Sequence, residues 1–154
     1  MYFTDGVVLT GTEAVWINKQ SKLKEQNMIN KELFELAKQA SQQAYAPYSK
    51  FSVGAALLTK TGNIYTGCNV ENSSYGLSMC AERNAIFNMV ANGELKITEI
   101  AIYVNADMLF PPCGACRQVL AEFGEDIAIY YGNDKEIVET TLKELLPHTF
   151  RINN

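Results

Sequence analysis

No stretch of about 18 consecutive apolar residues occurs in the 154-residue sequence, so nothing in it predicts a membrane-spanning helix. The Met1 start carries Asp5 and no basic segment ahead of an apolar core, so it does not read as a secretion leader. Together these absences lead us to expect a cytoplasmic protein. Basic runs are missing too. The 13 Lys and Arg stand against 17 Asp and Glu, a net charge of −4, and no cluster of cations advertises affinity for a phosphate backbone. A small or neutral substrate fits that balance better than nucleic acid or a membrane surface. Internal repeats and low-complexity segments are also lacking. What remains is ordinary for one globular domain: 47% hydrophobic and 19% charged residues, in a chain long enough to bury a core without disulfide staples.

The four cysteines carry the most information. Cys113 and Cys116 stand three apart, so on one helical turn both sulfurs face the same point. With Cys80 from a distant segment they make three donors and leave a fourth tetrahedral position open for water, as a hydrolytic zinc site requires. Glu82, two residues after Cys80, and Pro112, just before the Cys-x-x-Cys pair, complete the pattern of zinc deaminases, in which the Glu is not a ligand. Cys-x-x-Cys in a reducing compartment is also more often a metal site than a disulfide. Two blander readings stay open at this point. All four cysteines, Cys68 included, could close a structural zinc site, or Cys80 could be a buried apolar thiol. His148, the lone histidine, lies in the tail and is read as a packing or solvent-facing residue.

Along the chain, residues 1–27 form an extension of unknown role. Short strands are conceivable at Gly6–Thr10 and Ala14–Ile17, but Lys19–Asn27 has no apolar periodicity, and Met28 could be the true start. The domain proper is placed at 28–154. Leu33, Leu36, Ala37, Ala40 and Ala44 fall at helical spacing behind Asn30 as N-cap, and the helix should end before Pro47. Phe51–Leu58 reads as a buried strand, and Lys60–Asn63 as a turn into a returning strand at Ile64–Thr66. Asn69–Met79 is a polar loop leading into a helix at Cys80–Ala91, with Ser78 the candidate cap. Strand Ile97–Val104, helix Cys113–Phe123, strands Ile127–Tyr131 and Ile137–Thr140, and a short helix to Leu146 follow. Both Cys80 and Cys113 thus begin helices, whose dipoles favour thiolate. The alternation predicts an α/β fold: a mixed five-stranded sheet flanked by helices on both faces.

Three blocks together resemble one family, the small homotetrameric cytidine deaminases. They are Ala46-Pro47-Tyr48-Ser49-Lys50-Phe51 running on to Leu57, Gly67-Cys68-Asn69-Val70-Glu71-Asn72 running through Tyr75 to Arg83, and Pro112-Cys113-Gly114-Ala115-Cys116-Arg117-Gln118. The similarity runs from about Ile29 to Phe150. It implies the three-layer α/β/α cytidine-deaminase-like fold and a homotetramer whose active sites are shared between subunits. It also implies hydrolysis of cytidine and deoxycytidine to uridine and deoxyuridine plus ammonia, a step of pyrimidine salvage. By position, Cys80, Cys113 and Cys116 would hold zinc and Glu82 would shuttle the proton. Asn69 and Glu71 would hydrogen-bond the ribose hydroxyls, Phe51 would pack on the pyrimidine, and Phe150 would reach a neighbouring subunit's pocket. Tyr48 and Tyr75 are expected near subunit contacts.

Three thiolates around one divalent ion carry a net charge of −1, so counter-charge is needed. Arg83 and Arg117, each beside a ligand, are the candidates to hydrogen-bond or neutralise the thiolates. The chain departs from the family in its first 27 residues, in the tail ending soon after Phe150, and at Pro111, where many relatives carry Ser. A deaminase of another aminated nucleoside, such as blasticidin S, shares the zinc motifs, though the Asn69 and Glu71 pair favours ribose. A non-catalytic zinc-binding module is the alternative from outside enzymes.

Overall fold

The computed structural model describes residues 2–4, 7–9 and 31–152. The chain divides into two compact units, Met1–Glu32 and Leu33–Asn154. In the first, strands β1 (Tyr2–Thr4) and β2 (Val7–Leu9) pair antiparallel, Phe3 opposite Val8. The second of these falls within the Gly6–Thr10 stretch where a strand was conceivable. The possible strand at Ala14–Ile17, the Lys19–Asn27 segment and the Asn30 cap lie outside the described residues.

The second unit is built on five strands in the order β4-β3-β5-β6-β7: β3 (Val53–Thr59), β4 (Ile64–Cys68), β5 (Ile97–Val104), β6 (Ala128–Gly132) and β7 (Ile137–Thr141). Only β5 and β6 run parallel. A parallel pair cannot be joined by a hairpin, and helix α3 (Gly114–Phe123) lies in its crossover. Helix α1 (31–41), helix α2 (Ala81–Ala91) and the short α4 (Leu142–Leu145) complete the unit.

Side chains alternate across a strand, so each central strand feeds two cores. Ala55 and Leu57 of β3, Ile100 and Ile102 of β5, and Ile129 of β6 point to one face. There they meet Ala81, Ala85, Ile86 and Met89 of α2 and Leu120 and Ala121 of α3. Ala56, Ala101, Tyr103 and Tyr130, the intervening residues, pack on the other face against Leu33, Phe34 and Ala37 of α1. The three layers expected from the sequence are therefore present.

Two glycines let the layers close. A Cβ on Gly54 would lie 1.9 Å from the Ala37 carbonyl oxygen of α1, and one on Gly67 would lie 2.4 Å from the Ala85 amide nitrogen of α2. Only a residue without a side chain admits those approaches.

Boundaries differ from expectation in instructive ways. The first helix stops at 41 and turns 42–43 follow, earlier than Ala44, because the amides of Gln42, Gln43 and Ala44 bond back only three residues, a tightening typical of helix ends. Helix α2 is capped by Cys80 instead of Ser78, and α3 by Cys113, which itself lies outside the helix.

Candidate active site

Both caps have extended backbone, φ −73° and ψ 153° at Cys80 and φ −65° and ψ 162° at Cys113, and neither side chain caps its helix. Each residue's carbonyl accepts the first bond of its helix, from Asn84 N at 3.1 Å and Arg117 N at 3.0 Å. The thiols are thus left free at two positive helix ends. The Sγ atoms of Cys80, Cys113 and Cys116 all lie within 4.8 Å of one another. Cys80 to Cys113 is 3.9 Å and Cys113 to Cys116 is 3.4 Å. Zinc–sulfur bonds of about 2.3 Å in tetrahedral array require sulfurs roughly 3.8 Å apart, so the cluster fits that metal.

Cys68 is not part of the cluster. Its Sγ contacts the Gln43 carbonyl oxygen at 3.4 Å and does not join the three clustered sulfurs, which sets aside a closed site of four cysteines. Glu82 does not belong to it either. It sits in the first turn of α2 with 5% of its surface exposed, and burial pushes its carboxyl above the usual carboxylate range. Such a group holds a proton more readily than a surface Glu and is suited to acid–base work.

Arg83 and Arg117 divide the role the sequence offered to both. Arg83 Nη2 donates to Cys80 Sγ at 3.4 Å. Hydrogen bonding from Cys116, with Arg83 and Cys113 adding to it, pulls the Cys80 thiol down to about 5. Cys116 moves the other way, pushed up first by its hydrogen bond with Cys80 and then by burial. Among the described residues, Arg83 Nε is the buried side-chain polar atom without a hydrogen-bond partner. Arg117, by contrast, turns from the thiols. Its Nε donates to the Pro112 carbonyl at 2.7 Å and its Nη1 to the Leu145 carbonyl at 2.9 Å, tying the ligand loop to the end of α4.

Above the thiols opens a cavity of about 340 Å³, the size range of small-ligand sites. Glu82, Cys80 and Cys113 line one part of it, and Phe51, Asn69 and Glu71 another. The tertiary fold therefore brings Cys80, Cys113, Glu82, Phe51, Asn69 and Glu71 to one cavity, with Cys116 clustered beside Cys80 and Cys113. Phe150 is not in that cavity. It is 72% exposed, its carbonyl held at 2.9 Å by Gln118 Nε2. Tyr48 and Tyr75 stack edge-on, 5.9 Å between ring centroids, with much of both rings exposed. His148 is exposed, as read from its place in the tail.

Sequence reasoning missed Phe110. Its ring meets Phe51 edge-on at 5.0 Å and 82°, and with Pro111 it lines the cavity. The signal was an aromatic placed directly ahead of the Pro111-Pro112-Cys113 segment.

Three clustered thiols whose spacing suits a metal ion, a buried carboxyl near them and a cavity lined by Cys80, Cys113 and Glu82 point to the class: a zinc-dependent hydrolase on a three-layer α/β/α fold. The sequence model described as "Cytidine and deoxycytidylate deaminase zinc-binding region" matches residues 28–132. A cytidine deaminase of Sporosarcina psychrophila is 49% identical over 116 residues, covering 74% of this chain and 85% of that one. That of Halalkalibacterium halodurans is 48% identical over 120 residues, covering 77% and 91%. The 1.6 Å crystal structure of cytidine deaminase from Burkholderia pseudomallei aligns with TM-score 0.74 and 45% identity over 77% of this chain and 97% of that one. The chain belongs to the cytidine and deoxycytidylate deaminase family.

Proposed function

We propose that this chain deaminates cytidine and deoxycytidine hydrolytically, giving uridine and deoxyuridine plus ammonia. The observation that carries the reading is Glu82: a buried carboxyl in the cavity wall, next to three clustered thiols and not one of them. Cys80, Cys113 and Cys116 would hold zinc, which when bound supplies Lewis-acid activation of water near neutral pH, lowering its pKa to about 7. Glu82 takes the water proton and returns protons to ring N3 and to the departing 4-amino group. Its raised carboxyl pKa suits both halves of that shuttle. Arg83 holds the Cys80 thiolate and offsets part of the charge of three sulfurs. Phe51, backed by Phe110, offers an aromatic wall to the pyrimidine. Asn69 and Glu71 face the cavity from the loop after β4, where they would meet the sugar hydroxyls.

Residues 28–154 would be the deaminase domain and 1–27 an accessory extension. The assembly would be a homotetramer in the cytoplasm, with Phe150 offered to a neighbour's site. The exposure of Phe150 supports that reading. No helix among the described residues is long and apolar enough to cross a membrane.

The test is the ultraviolet loss of cytidine absorbance by purified protein, with and without a chelator, with cytidine monophosphate and blasticidin S alongside. Chelator-sensitive turnover of cytidine is expected. Glu82→Gln should keep one zinc per chain and lose about 10²–10⁴-fold in kcat, the range of general acid–base catalysis. Full turnover in that variant would remove Glu82 from the chemistry.

A further inference from the structure

The segment from Tyr48 to Val53 is held in an unusual way. The Lys50 amide closes a tight turn onto the Ala46 carbonyl at 3.1 Å, and Lys50 itself has φ +59°. A left-handed conformation is uncommon for Lys and persists where surrounding contacts over-determine it. Those contacts come from two residues of the cavity wall. Asn69 Oδ1 accepts from Val53 N at 2.9 Å and its Nδ2 donates to the Phe51 carbonyl at 2.8 Å. Glu71 Oε2 accepts from Tyr48 N at 2.9 Å and Ser49 N at 3.2 Å, while its Oε1 accepts from the Ser49 hydroxyl.

One hydroxyl joins the two halves. Ser49 Oγ donates to Glu71 and also accepts from the Phe51 amide at 3.0 Å, spanning the left-handed residue between them. Ser49 is exposed and does not line the cavity, so it reaches Glu71 and Phe51 from outside the substrate space. A carboxylate offers about four lone-pair directions, and these three bonds leave Glu71 capacity to accept from a ligand hydroxyl. The same contacts, the Ser49 hydroxyl first, hold the Glu71 carboxyl below its usual range, favouring its charged form.

We propose that Ser49 is a positioning residue for nucleoside binding: its hydroxyl locks the carboxylate that receives the sugar and the ring that receives the base into one preset unit. The inference rests on the functional reading above, in which Glu71 meets the sugar and Phe51 the pyrimidine. Removing the hydroxyl leaves Glu71 held through Oε2 alone, its Oε1 without a donor, and the Phe51 amide without its acceptor. Binding should then weaken while the proton-transfer chemistry at Glu82 is untouched.

The experiment compares the full chain with Ser49→Ala, Ser49→Thr, Glu71→Gln and the Ser49→Ala/Glu71→Gln pair on cytidine, reading KM and kcat separately alongside thermal melting. Ser49→Ala should raise KM by up to about tenfold, the loss coming from a binding carboxylate that is no longer preset, with kcat held within about twofold. Ser49→Thr, which keeps the hydroxyl, should recover most of the loss. In the paired variant Ser49→Ala should add little to Glu71→Gln, since both break the same link. An unchanged KM in Ser49→Ala, a fall in kcat and melting temperature together, or fully additive penalties would each overturn the proposal. A wild-type chain that leaves cytidine intact would instead overturn the functional reading, which separates the two failures.

Discussion

Replacing Gly67 by alanine puts a methyl carbon 2.4 Å from the Ala85 amide nitrogen and 2.7 Å from the Ala81 carbonyl oxygen. Both atoms belong to the backbone of α2, so no flexible side chain can move aside. Ordinary contact at such a pair needs about 3.5 Å, and helix and strand must therefore part by roughly 1 Å. Overpacking of this kind costs typically about 1–3 kcal/mol, which for a domain of this size lowers the melting temperature by about 3–10 °C. The functional effect should be larger. Helix α2 carries Glu82 in its first turn and is capped by Cys80, whereas Cys113 and Cys116 ride with α3. A displacement near 1 Å shifts Glu82 and the Cys80 thiol against those of Cys113 and Cys116, and misplacement on that scale costs about 10²-fold in rate. Differential scanning fluorimetry, zinc content and the cytidine absorbance assay on one preparation measure all three consequences. Wild-type melting together with wild-type kcat would show that α2 does not rest on Gly67 and that β4 does not set the position of Glu82.

Cys68→Ser should keep zinc stoichiometry and turnover at wild-type levels, because its sulfur bonds the Gln43 carbonyl and stands apart from the cluster; metal loss, measured by elemental analysis, would restore the four-thiolate site. Phe110→Ala removes the ring edge against Phe51, a pair worth about 0.5–1.5 kcal/mol, and should raise KM for cytidine roughly two- to tenfold with a smaller effect on kcat. Unaltered KM would show that Phe51 needs no backing. Thr141→Ala breaks the capping box formed with Glu144 at the start of α4 and should lower stability by about 1 kcal/mol with kcat unchanged. A fall in kcat there would mean that the hold of Arg117 on the Leu145 carbonyl transmits to the ligand loop.

The division between local and distant information explains what was legible beforehand. The Cys113 and Cys116 pair is a local spacing, and Glu82 follows Cys80 by two residues, so the sequence pointed to a metal site with an acid beside it while a closed site of four cysteines stayed open. The succession of helices and strands announced a mixed sheet flanked by helices on both faces, and Ala55-Ala56-Leu57 and Ile100-Ala101-Ile102 divide their side chains between the two resulting cores. Helix starts were legible only approximately. Ser78 satisfies the usual preference for a capping hydroxyl, yet the cap is Cys80, whose sulfur does no capping and stays available to a metal.

By itself, then, the sequence determined the chemistry that short spacing can encode: the soft ligand pair on one turn, the neighbouring carboxyl, and the apolar periods that build three layers. The tertiary structure alone decided which distant groups meet. Register between β3 and β4 sets Gly54 opposite Cys68 and leaves that thiol at the Gln43 carbonyl, although its side chain is identical to the three that converge. Packing likewise brought Phe110 to Phe51, turned Arg117 to backbone carbonyls while Arg83 took the sulfur, and hung the Tyr48–Val53 segment on Asn69 and Glu71. The physical reason is that such pairings depend on strand register and layer spacing, which arise from the whole core closing at once, and no window of neighbouring residues contains them.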